Sequence, residues 1–210
     1  MAAIRVLLAE DDPLAQQAIE TYLSKPQDLS LVGIAPDGEQ AIAMAQELSP
    51  DVAIVDIHMP KLNGLEVTKA LVPTGVKVLC FTALGDDQIL RRALLAGASG
   101  FLLKSDSPGL VLHGVRSTYS GDSLVSPKLV AALLRASGPR STPPAHVTDK
   151  DQQLMALIGR GLSNAEIAER LFLAPNTVKT YVSRLLSQHN RPNRAALAAL
   201  AFEWGLVDPN

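Results

Sequence analysis

A chain of 210 residues, 47% of them apolar, has room for two domains with packed cores, and an aromatic content of only 4% argues against an RNA binder that works by base stacking. The single cysteine, Cys80, lies inside the apolar run VKVLCF and reads as a small buried hydrophobe, so no intrachain disulfide framework exists and a reducing cytoplasm is expected. The net charge is −2, Arg5 and Glu10 flank an apolar run too short for a signal peptide, and nothing approaches the ~18 apolar residues of a membrane span, so no membrane association is expected.

Over residues 1–120, short apolar runs alternate with amphipathic stretches, as in successive βα units. Strands are expected near 4–9, 30–35, 51–55, 76–80 and 99–103, and helices near 13–24, 38–48, 64–72, 86–96 and 107–119. Turn chemistry agrees: Asp37-Gly38 opens the second helix, Asn63-Gly64 opens the third and Gly97 closes the fourth. Five such units predict an α/β fold, a parallel doubly wound sheet with helices on both faces.

Ligands in such sheets bind beyond the carboxyl ends of the strands. The first run ends in Glu10, Asp11 and Asp12, the third (VAIVDIHMP) in Asp56, the fourth in Thr82 and the fifth in Lys104. Each acid alone would read as a solvated loop charge; together, from four strand ends, they make a site. Carboxylates without Cys or His partners suit a hard, octahedral ion such as Mg²⁺, and a neighbouring ammonium would neutralise an added phosphoryl group. The pattern predicts a site at which the chain itself is phosphorylated.

With Glu10-Asp11, Asp56 followed by Met59-Pro60, Thr82-Ala83 and Lys104 at this spacing, residues 1–120 resemble the receiver domain of bacterial two-component response regulators. The resemblance implies Asp56 as the phospho-acceptor and Asp11 as a direct Mg²⁺ ligand. It further implies that Glu10 holds the ion partly through water, and that the carbonyl of His58 supplies another oxygen. Thr82 would hydrogen-bond a phosphoryl oxygen, Lys104 would pair with its charge, and Phe101 occupies the place of a switch aromatic. A carboxylate attacks phosphorus only if the repulsion between the anions is offset, which Mg²⁺ and Lys104 would do. Asp12, beside Pro13, reads instead as the cap of the first helix. Ser105 follows Lys104 where many receivers carry a proline, and the His58 imidazole reads as a loop group that tunes phosphoryl lifetime.

A short helical pattern runs from Pro127 to about Arg135, followed by ASGPRSTPPAHV (136–147), whose prolines and lack of periodicity mark a linker. The expected division is therefore 1–122, a helical segment and linker over 123–147, and a small all-α domain over 148–210 with helices near 149–159, 163–170, 175–188 and 193–204. Residues 1–135 carry a net −4 and residues 136–210 a net +2, which suits a metal and phosphate module joined to a polyanion binder.

The run GLSNAEIAERLFLAPNTVKTYVSRLL (161–186) resembles the LuxR-type helix-turn-helix of the NarL/FixJ class. Ser163 or Asn164 can cap its first helix, with Glu166 completing a box with Ser163. Ile167, Ala168, Leu171, Val178, Val182 and Leu185 form the apolar faces that cross the two helices. The resemblance implies that Asn176, Thr177, Lys179 and the helix amino terminus face DNA phosphates, and that Thr180, Ser183 and Arg184 are placed for base edges or nearby backbone. Ser183 is shorter than the usual polar residue of this position. Gln188-His189-Asn190-Arg191 replaces the customary lysine-rich turn, and Arg194–Trp204 resembles the dimerisation helix.

The resemblances together imply a transcription regulator and not an enzyme. A sensor histidine kinase would phosphorylate Asp56, the face containing Thr82 and Phe101 would repack, and a homodimer would present two recognition helices to double-stranded DNA. An aspartyl-phosphate phosphatase is the competing class, but those enzymes place the nucleophile after their first strand. A receiver that binds DNA without phosphorylation is a third reading, opposed by the intact set of five groups.

Overall fold

Strands buried on both faces need apolar side chains at nearly every position, and the runs around 6–9, 52–55 and 78–81 meet that demand. In the computed structural model, which describes residues 2–83, 92, 93, 95–122, 124–126, 129 and 141–207 (the side chain of 195 excepted), they form the three central strands of a five-stranded sheet. The chain divides into two compact units, Met1–Ser126 and Pro127–Asn210.

In the first unit, β1 (Ile4–Ala9), β2 (Leu29–Ala35), β3 (Val52–Asp56), β4 (Lys77–Thr82) and β5 (Gly100–Leu103) are all parallel in the order β2-β1-β3-β4-β5. Helices α1 (Pro13–Leu23), α2 (Gly38–Leu48) and α3 (Gly64–Leu71) connect the first four strands, with a 3₁₀ turn at Val72–Thr74, and α4 (Pro108–Ser120) follows β5. One sheet face packs Val6, Leu8, Ile54, Leu79 and Leu102 against Ile19 and Leu23 of α1 and Val111 and Val115 of α4. The alternate residues Leu7, Ala53, Val55, Cys80 and Phe101 are buried as well, as period-2 alternation between two covered faces requires. Burial pushes the Cys80 thiol up to about 12, in keeping with an inert core residue. The helix expected over 86–96 lies outside the described residues except for 92, 93, 95 and 96, as does that expected over 127–135 except for 129.

Strand order reverses between β1 and β3, so the loops leaving these two central strands part and leave a crevice at their carboxyl ends. Caps fix where each helix starts beyond that edge. Asp12 accepts from Leu14 N (2.9 Å) with Pro13 in the first helical position, as its sequence context suggests. Asp37 accepts from Gln40 N (2.9 Å) and from Lys61 Nζ (2.7 Å); these bonds hold its carboxyl down to about 2. Asn63 and Glu66 form a reciprocal capping box on α3. Beyond α4, Leu124 and Ser126 hydrogen-bond the two sides of Phe101 (both 2.8 Å), laying 124–126 along the free edge of β5.

The second unit is helical: α5 (Asp149–Gly159), α6 (Asn164–Leu171), α7 (Pro175–Gln188) and α8 (Arg194–Glu203). Its core joins Leu154, Met155 and Ile158 to Ile167, Val178, Val182, Leu185, Leu197 and Ala201, one stripe from each helix. Ser163, not Asn164, caps α6 and shares the box with Glu166, while Asn164 accepts from Arg194 Nη1 at 2.7 Å.

Candidate functional site

Three carboxylates meet at the crevice. Glu10, Asp11 and Asp56 each bring a ligand atom to within 4.8 Å of the others, with Glu10 and Asp56 buried and Asp11 exposed. Glu10 and Asp11 leave β1, and Asp56 closes β3, which is why adjacent parallel strands bring them together. Lys104, just beyond β5, reaches across: its Nζ donates to Glu10 Oε1 at 2.7 Å and to Asp56 Oδ2 at 2.9 Å. Its backbone N donates to the carbonyl of Thr82 (2.8 Å), tying the lysine loop to the end of β4. The other Asp56 oxygen accepts the backbone N–H of His58 at 3.2 Å, whereas the His58 side chain is exposed.

The charge balance of this cluster is incomplete. Burial and the proximity of Asp56 raise the Glu10 pKa despite the hydrogen bond from Lys104. Burial opposes the Lys104 ammonium, but its bonds to Asp56 and Glu10 outweigh that and hold its pKa above the usual lysine value. One ammonium thus serves two buried carboxylates. Glu10 Oε2 is buried and has no hydrogen-bond partner among the described residues, a costly state for a carboxylate oxygen. An all-oxygen donor set with an unpartnered buried oxygen fits a small hard cation.

Thr82 lies at this edge too, buried, with its hydroxyl donating to the carbonyl of Ala83 at 3.1 Å instead of facing the carboxylates. Phe101 is fully buried one strand away, opposite Cys80. Two further residues contribute to the site without a signal in the sequence. Gln16 Nε2 donates to the carbonyl of Glu10 (2.6 Å), steadying the acidic turn from α1. Asp106 accepts from Leu103 N (2.8 Å) and from Ser126 Oγ (3.1 Å), clamping the loop that follows Lys104. Both are contacts of ordinary polar residues, and no local pattern announces them.

On the second unit, α7 projects Asn176, Lys179, Thr180, Ser183 and Arg184 as exposed residues, with Thr177 half-buried beside them. The N-cap of α7 is Ala174, which provides no side-chain cap, so the amino terminus of this helix is left for an outside acceptor. Arg184 is exposed on this helix and also pairs with α5. Its Nη2 pairs with Asp151 of α5, which is 2% exposed, so part of its guanidinium is committed to holding two helices together. His189, in the turn that lacks lysines, packs edge-on against Trp204 with centroids 5.1 Å apart. That turn therefore faces inward at this position.

A family model for the response regulator receiver domain matches residues 6–115, and one for bacterial regulatory proteins of the luxR family matches residues 145–201. The chain therefore belongs to the two-component response regulators that join a receiver to a LuxR-type DNA-binding domain, proteins that regulate transcription and are not catalytic enzymes. It is 32% identical to the response regulator protein VraR of Staphylococcus epidermidis over 208 residues, covering 98% of this chain and 99% of that one. It is 30% identical to the transcriptional regulatory protein LnrK of Bacillus subtilis over 216 residues, covering 97% and 98%. Among solved structures, the response regulator ChrA of a heme-sensing two-component system aligns with TM-score 0.57 and 28% identity over 98% of this chain and 100% of that one. The receiver domain of the putative NarL of Mycobacterium tuberculosis aligns with TM-score 0.56 and 31% identity, covering 58% and 99%. No described helix is long and apolar enough to cross a membrane.

Proposed function

We propose that a sensor histidine kinase phosphorylates Asp56 and that the modified chain dimerises on double-stranded DNA to control transcription, in the cytoplasm. The observation that carries this reading is the imbalance around Asp56: three carboxylates gathered at one strand edge, one ammonium between two of them, and one buried oxygen of Glu10 without a partner among the described residues. The receiver spans 1–122, extended to Ser126 by the segment laid along β5, and the DNA-binding domain spans 148–210.

Asp56 supplies the nucleophile. One of its carboxylate oxygens forms a bond to phosphorus as the bond from phosphorus to the kinase imidazole nitrogen breaks, and the imidazole leaves as the neutral base once protonated. Glu10, Asp11, Asp56 and the His58 carbonyl are the residues that would hold Mg²⁺, which when bound offsets the negative charge brought by the phosphoryl group. Lys104 already touches Asp56 and keeps its ammonium beside the new acyl phosphate. The Thr82 hydroxyl, now on the Ala83 carbonyl, can rotate to donate to a phosphoryl oxygen, and that rotation is the step that links the site to buried Phe101. Phosphorylation shifts a pre-existing equilibrium, so the unmodified protein keeps a fraction of the active form.

On DNA, Asn176, Thr177, Lys179 and the uncapped amino terminus of α7 hold phosphates, while Thr180 and Ser183 face base edges. Two recognition helices related by a two-fold axis require an inverted repeat with half-site centres about one helical turn apart. Sedimentation of the full chain with Mg²⁺ and acetyl phosphate is expected to show a doubling of mass, together with tighter binding to duplexes selected from a random pool. A mass and an affinity that ignore the phosphodonor would replace this reading with that of a constitutive DNA binder. In the same pool, Thr180→Ala is expected to change the preferred base at one position per half-site with the salt dependence unaltered. An unchanged preference would remove Thr180 from the base-reading face.

A further inference from the structure

Asp151 is a buried acid whose two oxygens point to different tasks. Oδ2 accepts from the Thr148 hydroxyl at 2.8 Å and closes the capping box of α5, while Oδ1 pairs with Arg184 Nη2 on α7. A carboxylate this enclosed is strongly held only when every oxygen is bonded, so the amino terminus of α5 is locked in register against the middle of α7. Lys150, the residue before Asp151, inherits that placement. Its Nζ lies 4.8 Å from the centre of the Tyr181 ring on α7 and 3.3 Å from the Tyr181 hydroxyl, and Arg184 flanks the same ring at 5.8 Å.

Tyr181 sits one residue after Thr180 and four after Thr177, on the flank of α7 that borders its exposed face. A cation resting on an aromatic ring loses part of its rotamer freedom before any ligand arrives, which lowers the entropic cost of a later contact. An ammonium has three donors, and the Tyr181 hydroxyl takes one from Lys150. Two remain directed to solvent beside α7, on an exposed residue. Asp149, the adjacent acid, is turned by about 100° around the helix axis and so does not share this direction.

We infer that Lys150 is a DNA-phosphate contact supplied from outside the recognition helix, held over Tyr181 and registered to that helix by the Asp151–Arg184 pair. It adds a cation from a second helix to the Lys179 contact of the recognition helix, which widens the span of backbone the domain can grip. The inference rests on the assignment of α7 as the recognition helix. Its ligand is duplex phosphate of any sequence, because an ammonium on a phosphate carries no base information.

The test uses the full-length protein, a duplex obtained by selection from a random pool, and an unrelated duplex, each titrated between 50 and 200 mM salt. Lys150→Ala is expected to weaken both duplexes by the same factor and to reduce the salt slope by about 0.9, so that affinity falls about 3.5-fold less across this salt range than in the wild type. Lys150→Arg is expected to restore the slope. Thermal melting of Lys150→Ala should match the wild type, since the residue is exposed. Lys179→Ala serves as the reference and should show the same two losses. A Lys150→Ala variant with wild-type affinity and slope, beside a Lys179→Ala variant that loses both, overturns the inference and leaves the recognition helix in place. Wild-type behaviour of both variants overturns the recognition-helix assignment itself. A loss by Lys150→Ala on the selected duplex alone would make it a base-reading residue and would equally overturn the phosphate contact.

Discussion

With Mg²⁺ and acetyl phosphate, Asp56→Asn is expected to take up no phosphoryl group at all, whereas the wild type gains one, read as intact mass. The substitution keeps the shape of the side chain and removes its nucleophilicity, because the lone pair of the amide nitrogen is delocalised and its oxygen carries no full charge. The fold should survive the change, since Lys104 keeps Glu10 at 2.7 Å and the buried cluster loses one of two mutually repelling anions. Asp11→Asn, at the exposed edge of the cluster, should slow uptake without abolishing it, as the loss of one metal-binding oxygen among several would do. The added group should be lost in mild base, as acyl phosphates are. Equal labelling of wild type and Asp56→Asn would move the acceptor to another residue and undo the reading of the site.

A change that never touches a charged group should be nearly as damaging. Gly64 opens α3 directly beneath the end of β3, and its N–H donates to the Ile57 carbonyl at 3.0 Å. A Cβ there would stand 2.1 Å from the carbonyl oxygen of Asp56 and 2.8 Å from Cα of Ile57, both backbone atoms that cannot swing aside. Gly64→Ala must therefore lift α3 or push the nucleophile strand. Overpacking of this kind costs about 1–3 kcal/mol even where side chains can yield, so the upper part of that range or beyond is expected, seen as a fall of several degrees in Tm. Displacing Asp56 by about 1 Å would add a roughly 100-fold loss in the rate of phosphoryl uptake. Gly109→Ala in α4 is the matched control, because an added Cβ there meets nothing within 4 Å. It should be neutral or stabilising by about 0.4–1 kcal/mol. A Gly64→Ala protein that melts and labels like the wild type would show that β3 and α3 are not in this close register.

Much of this protein is local information. The runs at 4–9 and 52–56 are strands because continuous apolar sequence cannot be left in water, and 13–23 and 175–188 are helices because apolar residues recur at helical spacing. Asp12, Asp37 and Ser163 cap their helices with bonds spanning two or three residues, a distance at which neighbours in sequence are neighbours in space. The order of elements alone placed Glu10, Asp11, Asp56, Thr82 and Lys104 at one sheet edge, since parallel strands share an end.

What the sequence by itself did not determine is every contact made across long separations. That Lys104 bridges Glu10 and Asp56 from 94 and 48 residues away, and that this leaves Glu10 Oε2 without a partner among the described residues, depends on strand register and loop paths. That Arg184, exposed on α7, also pairs with Asp151, 33 residues earlier, has no signal in the sequence. Thr82 was placed but not oriented, its hydroxyl turning to Ala83. The physical reason is common to all of them. Periodicity and capping are decided within one or two turns of chain, whereas the choice of partner for a buried polar group is made by whichever distant group the packed fold delivers within about 3 Å.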